Sequence, residues 1–469
     1  MIGMKRLFFL TALVLCISAC CNSSSDYGYV VKDNMIVYNT PPRPADQQSM
    51  LGFACEPMDS VRIGVIGLGD RGKDVVKRMP FIEGAKVVAL CDIMEDRIAR
   101  AQKSLVKRGA PKARHEFSDP EGWKLLCELE DVDLVYLAVP WNLHTTMAVY
   151  AMEHGKHVAV EVPAATSIEE CWALVNTSER TRRHCMMLEN CCYDFFELTC
   201  LNMVQHGLFG DIVHAEGAYC HNLDPWWDNY QGDWRMLYNK DHHGDVYPTH
   251  GIGPVCQALN IHRGDKMDVL VSMDTDAFSG QDKADERYGK GAVKYKNGDL
   301  TATIIRTRKG KTILVEHDVV TPRPYNRLYQ LVGTKGYAYK YPLPGGLALG
   351  GEAVQITSSD DLDAEKYMCD AQRDSLMAAY KHPIAKEIEA LARKVGGHGG
   401  MDFIMDYRLI YCLRNGLPLD QDVYDAAEWS SLVELTEVSI NHGSMPVAMP
   451  DFTRGEWDRV DGLHLAFKE

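Results

Sequence analysis

Residues 62–72 read Arg-Ile-Gly-Val-Ile-Gly-Leu-Gly-Asp-Arg-Gly, an apolar strand running into a glycine-rich turn. Gly67 permits the tight turn, Gly69 lets the backbone approach a pyrophosphate, and Gly72 lets the following helix pack close to the strand. The first N–H groups of that helix then face the phosphates. Twenty residues past the last glycine, Lys86-Val-Val-Ala-Leu-Cys-Asp92 ends a second strand on an acid. A carboxylate there accepts from a ribose 2′-OH, which favours NAD over NADP. GxGxxG alone is a weak signal. Here it follows an apolar strand, precedes a helical pattern and meets its acid at the expected distance, so these residues read as a dinucleotide site.

Outward from this turn, apolar runs at 63–66, 87–90, 134–138, 157–160 and 185–188 alternate with helical stretches at 73–79, 96–107, 120–129, 145–153 and 168–182. That alternation predicts an α/β chain with an N-terminal Rossmann dinucleotide-binding domain over 61–190. Ligands sit at the carboxyl ends of such strands, so Asp92, Pro140-Trp141-Asn142 and Glu161 should line one crevice. Beyond it, strands are expected at 211–218, 267–273, 291–295, 300–306, 312–320 and 328–332, with Arg308-Lys309-Gly310-Lys311 as a hairpin turn. Helices are expected near 380–396 and 402–415. Residues 191–469 therefore read as an α+β substrate-binding domain with a large, mainly antiparallel sheet.

The chain has 469 residues, 46% hydrophobic and 25% charged, which is globular composition sufficient for two or three domains. Its net charge of −15 argues against nucleic acid as a partner. Met4-Lys5-Arg6 precedes an apolar run over 7–19 that is too short to span a membrane and fits a secretory signal. The run ends Ile17-Ser18-Ala19-Cys20, resembling a bacterial lipobox with Cys20 as the lipidated residue. Residues 1–20 thus read as a signal peptide with lipobox, and 21–60 as a tether carrying Ser23-Ser24-Ser25 and Pro41-Pro42-Arg43-Pro44. The expected location is the bacterial cell envelope, with the membrane reached through a lipid anchor only. None of the fifteen cysteines forms a CxxC pair with zinc spacing; buried free thiols are the main reading, with an occasional disulfide left open.

Three constellations carry chemistry. Pro140-Trp141-Asn142-Leu143-His144 reads as a cofactor-facing loop before a helix. Glu161-Val162-Pro163-Ala164 follows the next strand. Up to this point residues 62–190 resemble the NAD(P)-binding sugar oxidoreductases typified by glucose–fructose oxidoreductase and inositol dehydrogenase. Those enzymes usually carry Glu-Lys-Pro here, with the lysine assisting proton transfer; this chain has Val162 instead. The third constellation spans 219–250: Tyr219, His221, Pro225-Trp226-Trp227-Asp228, Asp233-Trp234-Arg235, His242-His243-Gly244-Asp245 and Tyr247-Pro248-Thr249-His250. Aromatic faces stack on sugars, and Arg, Asp and His reach hydroxyls. His242, His243, Asp245 and His250 lack a recognised metal-ligand spacing and adjacent histidines point apart, so no metal is expected.

A closer resemblance rests on Gly67-Leu-Gly-Asp-Arg-Gly72, Trp141-Asn-Leu-His144, Glu161-Val162, Tyr247-Pro-Thr-His-Gly251, Thr321-Pro-Arg-Pro-Tyr325, His398-Gly-Gly-Met-Asp402, Asp422-Val-Tyr-Asp-Ala-Ala427 and Pro450-Asp-Phe-Thr-Arg-Gly455. Together these are similar to the NAD-dependent α-N-acetylgalactosaminidases of glycoside hydrolase family 109. The resemblance implies that Arg71, Gly72, Asp92, Trp141, Asn142, Leu143, His144, Glu161, Val162 and Asn190 bind NAD. It implies that Tyr219, Arg235, Tyr247, Pro248, Thr249, His250 and Tyr325 bind sugar. The implied chemistry takes hydride from sugar C3, removes the acidified C2 proton, eliminates the C1 substituent, adds water and returns the hydride, with tightly held NAD. His250 and Tyr247 are then the expected proton-transfer pair, because histidine shuttles protons near neutral pH. The expected partner is a glycan ending in N-acetylgalactosamine, and the open face of the second sheet is a candidate homodimer surface. The alternative is an NAD-dependent sugar oxidoreductase with net turnover of the cofactor.

Overall fold

A computed structural model describes residues 27–224, 230–350 and 365–468, with backbone alone for 230–233. The expected signal run, Cys20, Trp226 and Trp227 lie outside the described residues. Two short strands come first, β1 (Tyr29–Lys32) and β2 (Met35–Tyr38). Then β3 (Val61–Ile66), β4 (Ala85–Cys91), β5 (His115–Phe117), β6 (Leu134–Leu137), β7 (His157–Val160) and β8 (Cys185–Met187) form a parallel sheet ordered β5-β4-β3-β6-β7-β8. Its crossovers are α1 (Asp70–Arg78), α2 (Glu95–Lys107), α3 (Gly122–Glu128), α4 (Trp141–Glu153) and α5 (Ile168–Thr181). The central strands are mainly apolar because helices cover both faces, with Arg62 and His157 near their starts. The order reverses between β3 and β6, which opens the ligand crevice of a doubly wound sheet. This is the expected Rossmann domain, with two differences. His-Glu-Phe of β5 is a polar edge strand with no apolar run to announce it. Trp141–His144, expected as a loop, is the first turn of α4.

The second domain contains α6 (Phe195–Gln205), β9 (Ile212–Cys220), α7 (Tyr230–Asp241), α8 (Thr249–Ala258), β10 (Met267–Asp274), α9 (Ser279–Tyr288), β11 (Thr301–Thr307), β12 (Thr312–Asp318), β13 (Asn326–Gly333), β14 (Gly336–Tyr339) and β15 (Gly346–Leu349). It ends with α10 (Asp370–Ala379), α11 (Pro383–Val395), α12 (Met401–Asn415), α13 (Val423–Asn441) and β16 (Val447–Ala448). Its sheet runs β1-β2-β16-β10-β11-β12-β9-β13-β14-β15 and is antiparallel except where β9 meets β12 and β2 meets β16. Helix α8 lies on β9 and β13, and α13 on β10, so one face is covered. Residues 291–295 are not the expected strand. Gly291 turns at φ 70°, and Tyr295 docks under α9, its N–H donating to the Gln281 side chain.

The tether expected over 21–60 is corrected over its described part. Strand β2 buries Ile36 and Tyr38 on one face and joins the large sheet through β16. Tyr38 donates to Glu434 (2.7 Å), Met50 N–H donates to the Tyr424 hydroxyl (2.9 Å), and Arg43 pairs with Glu179 and Glu456. The proline-rich stretch is therefore strapped onto the body of the protein.

Candidate active site

A cavity of about 1240 Å³ opens at the carboxyl ends of β3, β4, β6 and β7 and continues toward α8 and β9. At its nucleotide end Gly67 has φ 85°, and a Cβ there would lie 2.3 Å from the Ala138 carbonyl oxygen. A Cβ on Gly72 would lie 1.8 Å from the Gly67 oxygen, so only glycine lets α1 start this close to the turn. Gly69 faces open space, meeting nothing nearer than the Arg97 guanidinium at 3.7 Å. Asp92 is buried and accepts from Leu68 N–H (2.7 Å) and Met94 N–H (2.9 Å), which fixes its carboxylate at the strand end. These residues fit a pyrophosphate and a ribose diol.

Further along, Trp141 donates its indole N–H to the Val162 carbonyl (3.1 Å) and packs edge-on against Trp234. His144 is fully buried between the carbonyls of Pro163 and Val139. Burial pushes its pKa down while the two carbonyls oppose that, and the net direction is down. It therefore shapes the loop rather than offering a ring nitrogen to a ligand. Arg71 donates to Glu161 (3.0 Å) and to Asp402 (3.1 Å) at the start of α12. Asp402 also accepts from Asn190 (2.5 Å), and Arg78 pairs with Asp406 (2.7 Å). A carboxylate pair one turn apart on α12 thus clamps two arginines of α1 and joins the domains beside the cofactor crevice.

At the far end, Tyr219, Tyr247 and His250 meet ring to ring, with centroids 4.6 Å (Tyr219 to Tyr247) and 5.0 Å (Tyr247 to His250) apart. The Arg235 guanidinium lies 5.0 Å from the Tyr247 ring centre and 5.4 Å from that of Trp141. Tyr325 and His221 complete this wall, the latter bonded to the Tyr219 hydroxyl (2.9 Å) and pushed down to about 4 by burial and by Arg235. Backbone contact sets the arrangement: a Cβ on Gly217 of β9 would lie 2.1 Å from the Gly251 oxygen of α8. The two glycines let the helix start rest on the sheet, which brings His250 to Tyr219.

Of the expected site residues, Gly67, Gly69, Arg71, Asp92, Trp141, Leu143, His144, Glu161, Val162, Asn190, Tyr219, Arg235, Tyr247, His250 and Tyr325 line this one cavity. Asn142 is exposed and stands outside the lining, as do Gly72, Pro248 and Thr249, which frame the turns. The histidines weighed for metal diverge: His242 contacts Glu437 and His243 contacts Asp274. Two residues have no role assigned from sequence, although His398 lies in one of the segments that carry the resemblance. Glu189 is fully buried, and both its oxygens lie 2.9 Å from His250 Nδ1. His398 lines the cavity with its side chain 57% exposed and its Nδ1 2.9 Å from Asp402. It rides a run of positive φ from Gly396 to Gly400 (87°, 89°, 45°, 75°, 114°), a path four glycines make possible. That Gly-Gly-His-Gly-Gly string was the available signal.

Two families match. Residues 61–189 match "Oxidoreductase family, NAD-binding Rossmann fold", and residues 193–459 match "Glycosyl hydrolase 109, C-terminal domain". A glycosyl hydrolase family 109 protein of Bacteroides thetaiotaomicron is 52% identical over 471 residues, covering 99% of this chain and all of that one. One from Porphyromonas gingivalis is 53% identical over 436 residues, covering 92% of this chain and 93% of its own. Among solved structures, apo levoglucosan dehydrogenase superposes with a TM-score of 0.63 at 19% identity, covering 84% of this chain and all of that one. An apo scyllo-inositol dehydrogenase from Lactobacillus casei gives 0.57 at 14%, covering 84% and 99%. Those likenesses establish a shared fold. With an NAD-binding Rossmann domain and a matching C-terminal domain joined around one cavity, the chain belongs to glycosyl hydrolase family 109.

Proposed function

We propose that the protein releases terminal α-linked N-acetylgalactosamine from glycans by an NAD-dependent route with no net redox change. The observation that carries this reading is the wall of Tyr219, Tyr247, His250 and Arg235 sharing one cavity with the nucleotide crevice. An ordinary glycosidase needs two flanking acids. Among the described residues at this end, Glu161 is the one lining carboxylate, and it is bound to Arg71.

Gly67, Gly69, Asp92 and the Trp141 end of α4 would hold NAD, tightly on this reading, and the bound cofactor would supply a reversible hydride acceptor for sugar C3. The chain supplies the proton chemistry. Burial pushes the Tyr247 hydroxyl well above its usual range, opposed by Arg235, so it stays protonated and donates a hydrogen bond to the C3 oxygen, whose own proton passes to solvent through the open cavity as the hydride leaves. His250 takes the C2 proton once C3 is a ketone, since that proton is then α to a carbonyl. His398, on the open side and held at Nδ1 by Asp402, is our candidate to protonate the departing C1 oxygen.

Incubation with chromogenic α- and β-glycosides tests this without an added electron acceptor. The expected result is release from the α-N-acetylgalactosaminide, dependent on bound NAD, with flat absorbance at 340 nm. His250→Ala should bind NAD and lose turnover. No release, beside steady NADH production from a free sugar, would return the protein to the sugar oxidoreductases. From the N-terminal apolar run ending at Cys20 we propose separately that it is an exported lipoprotein anchored through that cysteine. We also propose a homodimer through the open sheet face, on the ground that Met273 and Ile304 are 64% and 49% exposed there.

A further inference from the structure

We propose that Glu189 is the positioning residue of His250, fixing its tautomer and stabilising the imidazolium that forms when His250 takes a proton. This rests on the glycosidase reading above. Glu189 follows β8 and caps a short turn, its Oε1 accepting from Cys191 N–H (2.9 Å) while its backbone oxygen accepts from Gln421 (3.0 Å). Both carboxylate oxygens lie 2.9 Å from His250 Nδ1. A carboxylate only accepts, so Nδ1 carries the hydrogen and Nε2, on the other side of the ring, keeps its lone pair. His250 lines the cavity whereas Glu189 is fully buried behind it.

The fold makes room for this acid. A Cβ on Gly253, one turn after His250, would lie 2.8 Å from Glu189 Cγ and 3.1 Å from Trp429. A Ser, Thr or Asn would cap the Cys191 N–H without a charge to bury. The charge therefore answers to His250, whose Nδ1–H it accepts. Burial raises the Glu189 carboxyl, but His250 and the Cys191 N–H outweigh it and hold it below the usual carboxylate range. During turnover the C2 proton moves to Nε2, the C2 electron pair passes into the sugar enolate, and Glu189 stays unprotonated.

The test compares Glu189→Gln, His250→Ala and their double variant in the NAD-loaded protein, using the α-N-acetylgalactosaminide and its C2-deuterated form. For Glu189→Gln the expected result is a kcat loss of roughly 100-fold, from removing one partner of a general base. KM and NAD binding should stay near wild type, the C2 isotope effect should grow, and the double variant should be no slower than His250→Ala alone. Wild-type kcat, an unchanged isotope effect, or losses that add in the double variant would overturn the proposal. Should Glu189→Gln not retain NAD, Glu189→Asp takes its place. Its shortened carboxylate withdraws from Nδ1, and wild-type kcat there is likewise contrary. Absence of α-glycoside release by the wild type would instead sink the parent reading, and this inference with it.

Discussion

Asp402→Asn removes one negative charge from the junction of the two domains while keeping the side chain's shape. The native carboxylate, 1% exposed, accepts from Asn190 (2.5 Å), His398 (2.9 Å) and Arg71 (3.1 Å), and lies 3.5 Å from Arg78. Breaking a buried ion pair from one side costs about 3–5 kcal/mol, much of it from the stranded charge. Here neither arginine is stranded, because Arg71 keeps Glu161 and Arg78 keeps Asp406. The expected loss is therefore at the low end, about 3 kcal/mol at pH 7. Burial raises the Asp402 carboxyl, but Arg71, His398 and Arg78 together hold it well below the usual carboxylate range. A depressed folded pKa means the stabilisation is fully present above the unfolded value near 4 and fades as pH falls below it. Between pH 5 and pH 3 the gap between wild type and variant should narrow by about 1 kcal/mol. Urea unfolding followed by tryptophan fluorescence at both pH values measures it. kcat should fall as well, because His398 and Asn190 lose the group that orients them. Identical unfolding midpoints at pH 7, or a gap that ignores pH, would refute the clamp.

Gly72→Ala should abolish NAD binding, since its Cβ would sit 1.8 Å from the backbone oxygen of Gly67 and must push α1 off the turn; titration of NADH fluorescence checks this. Asp245→Asn should change how stability depends on pH. Burial pushes Asp245 up to about 7, opposed only by the Tyr247 N–H, and its Oδ2 has no hydrogen-bond partner among the described residues. For an acid raised in the fold, stability is highest below the unfolded pKa and declines as pH climbs to about 7. The variant should lack that decline, which has a slope of about 1.4 kcal/mol per pH unit. Thermal melts between pH 5 and 8 should show the variant gaining on the wild type as pH rises, and parallel curves would contradict it.

The legible parts of the chain were those whose signal is local. The glycine turn, the acid ending β4 and the apolar strands of the Rossmann sheet each follow from a few neighbouring residues. Strand β5 was missed because an edge strand of three half-exposed residues carries no apolar run. The strap over residues 29–50 reads locally as a proline-rich spacer. Its order comes from distant partners, Glu179, Tyr424 and Glu434, which composition cannot reveal. Glu189 is the sharpest case. Its partner His250 is 61 residues away, and nothing in Met187-Leu188-Glu189-Asn190 separates a buried orienting acid from a surface one. His398 was readable in principle, because four glycines around one histidine demand a backbone path that other residues resist.

The substitution of valine for the expected lysine after Glu161 now has a structural counterpart. Val162 is buried, its carbonyl holds the Trp141 indole, and Trp141 in turn stacks on Tyr247 at 5.7 Å. A lysine at this position would place an ammonium on the cofactor domain. Here the groups suited to proton transfer come from the second domain: Tyr247 and His250 from the start of α8, and His398 from the loop before α12. The first domain adds Glu189 from behind. Oxidation at C3 needs one proton acceptor, which a single lysine supplies. Elimination and addition need proton transfer at C2 and at the C1 oxygen as well, on different sides of the sugar. On the proposed route, groups distributed around the pocket would meet that need, and one lysine on the floor of the nucleotide crevice would not. The Rossmann half is thus compatible with either net reaction, and on the proposed route the arrangement contributed by α8 and the 396–400 loop would decide between them.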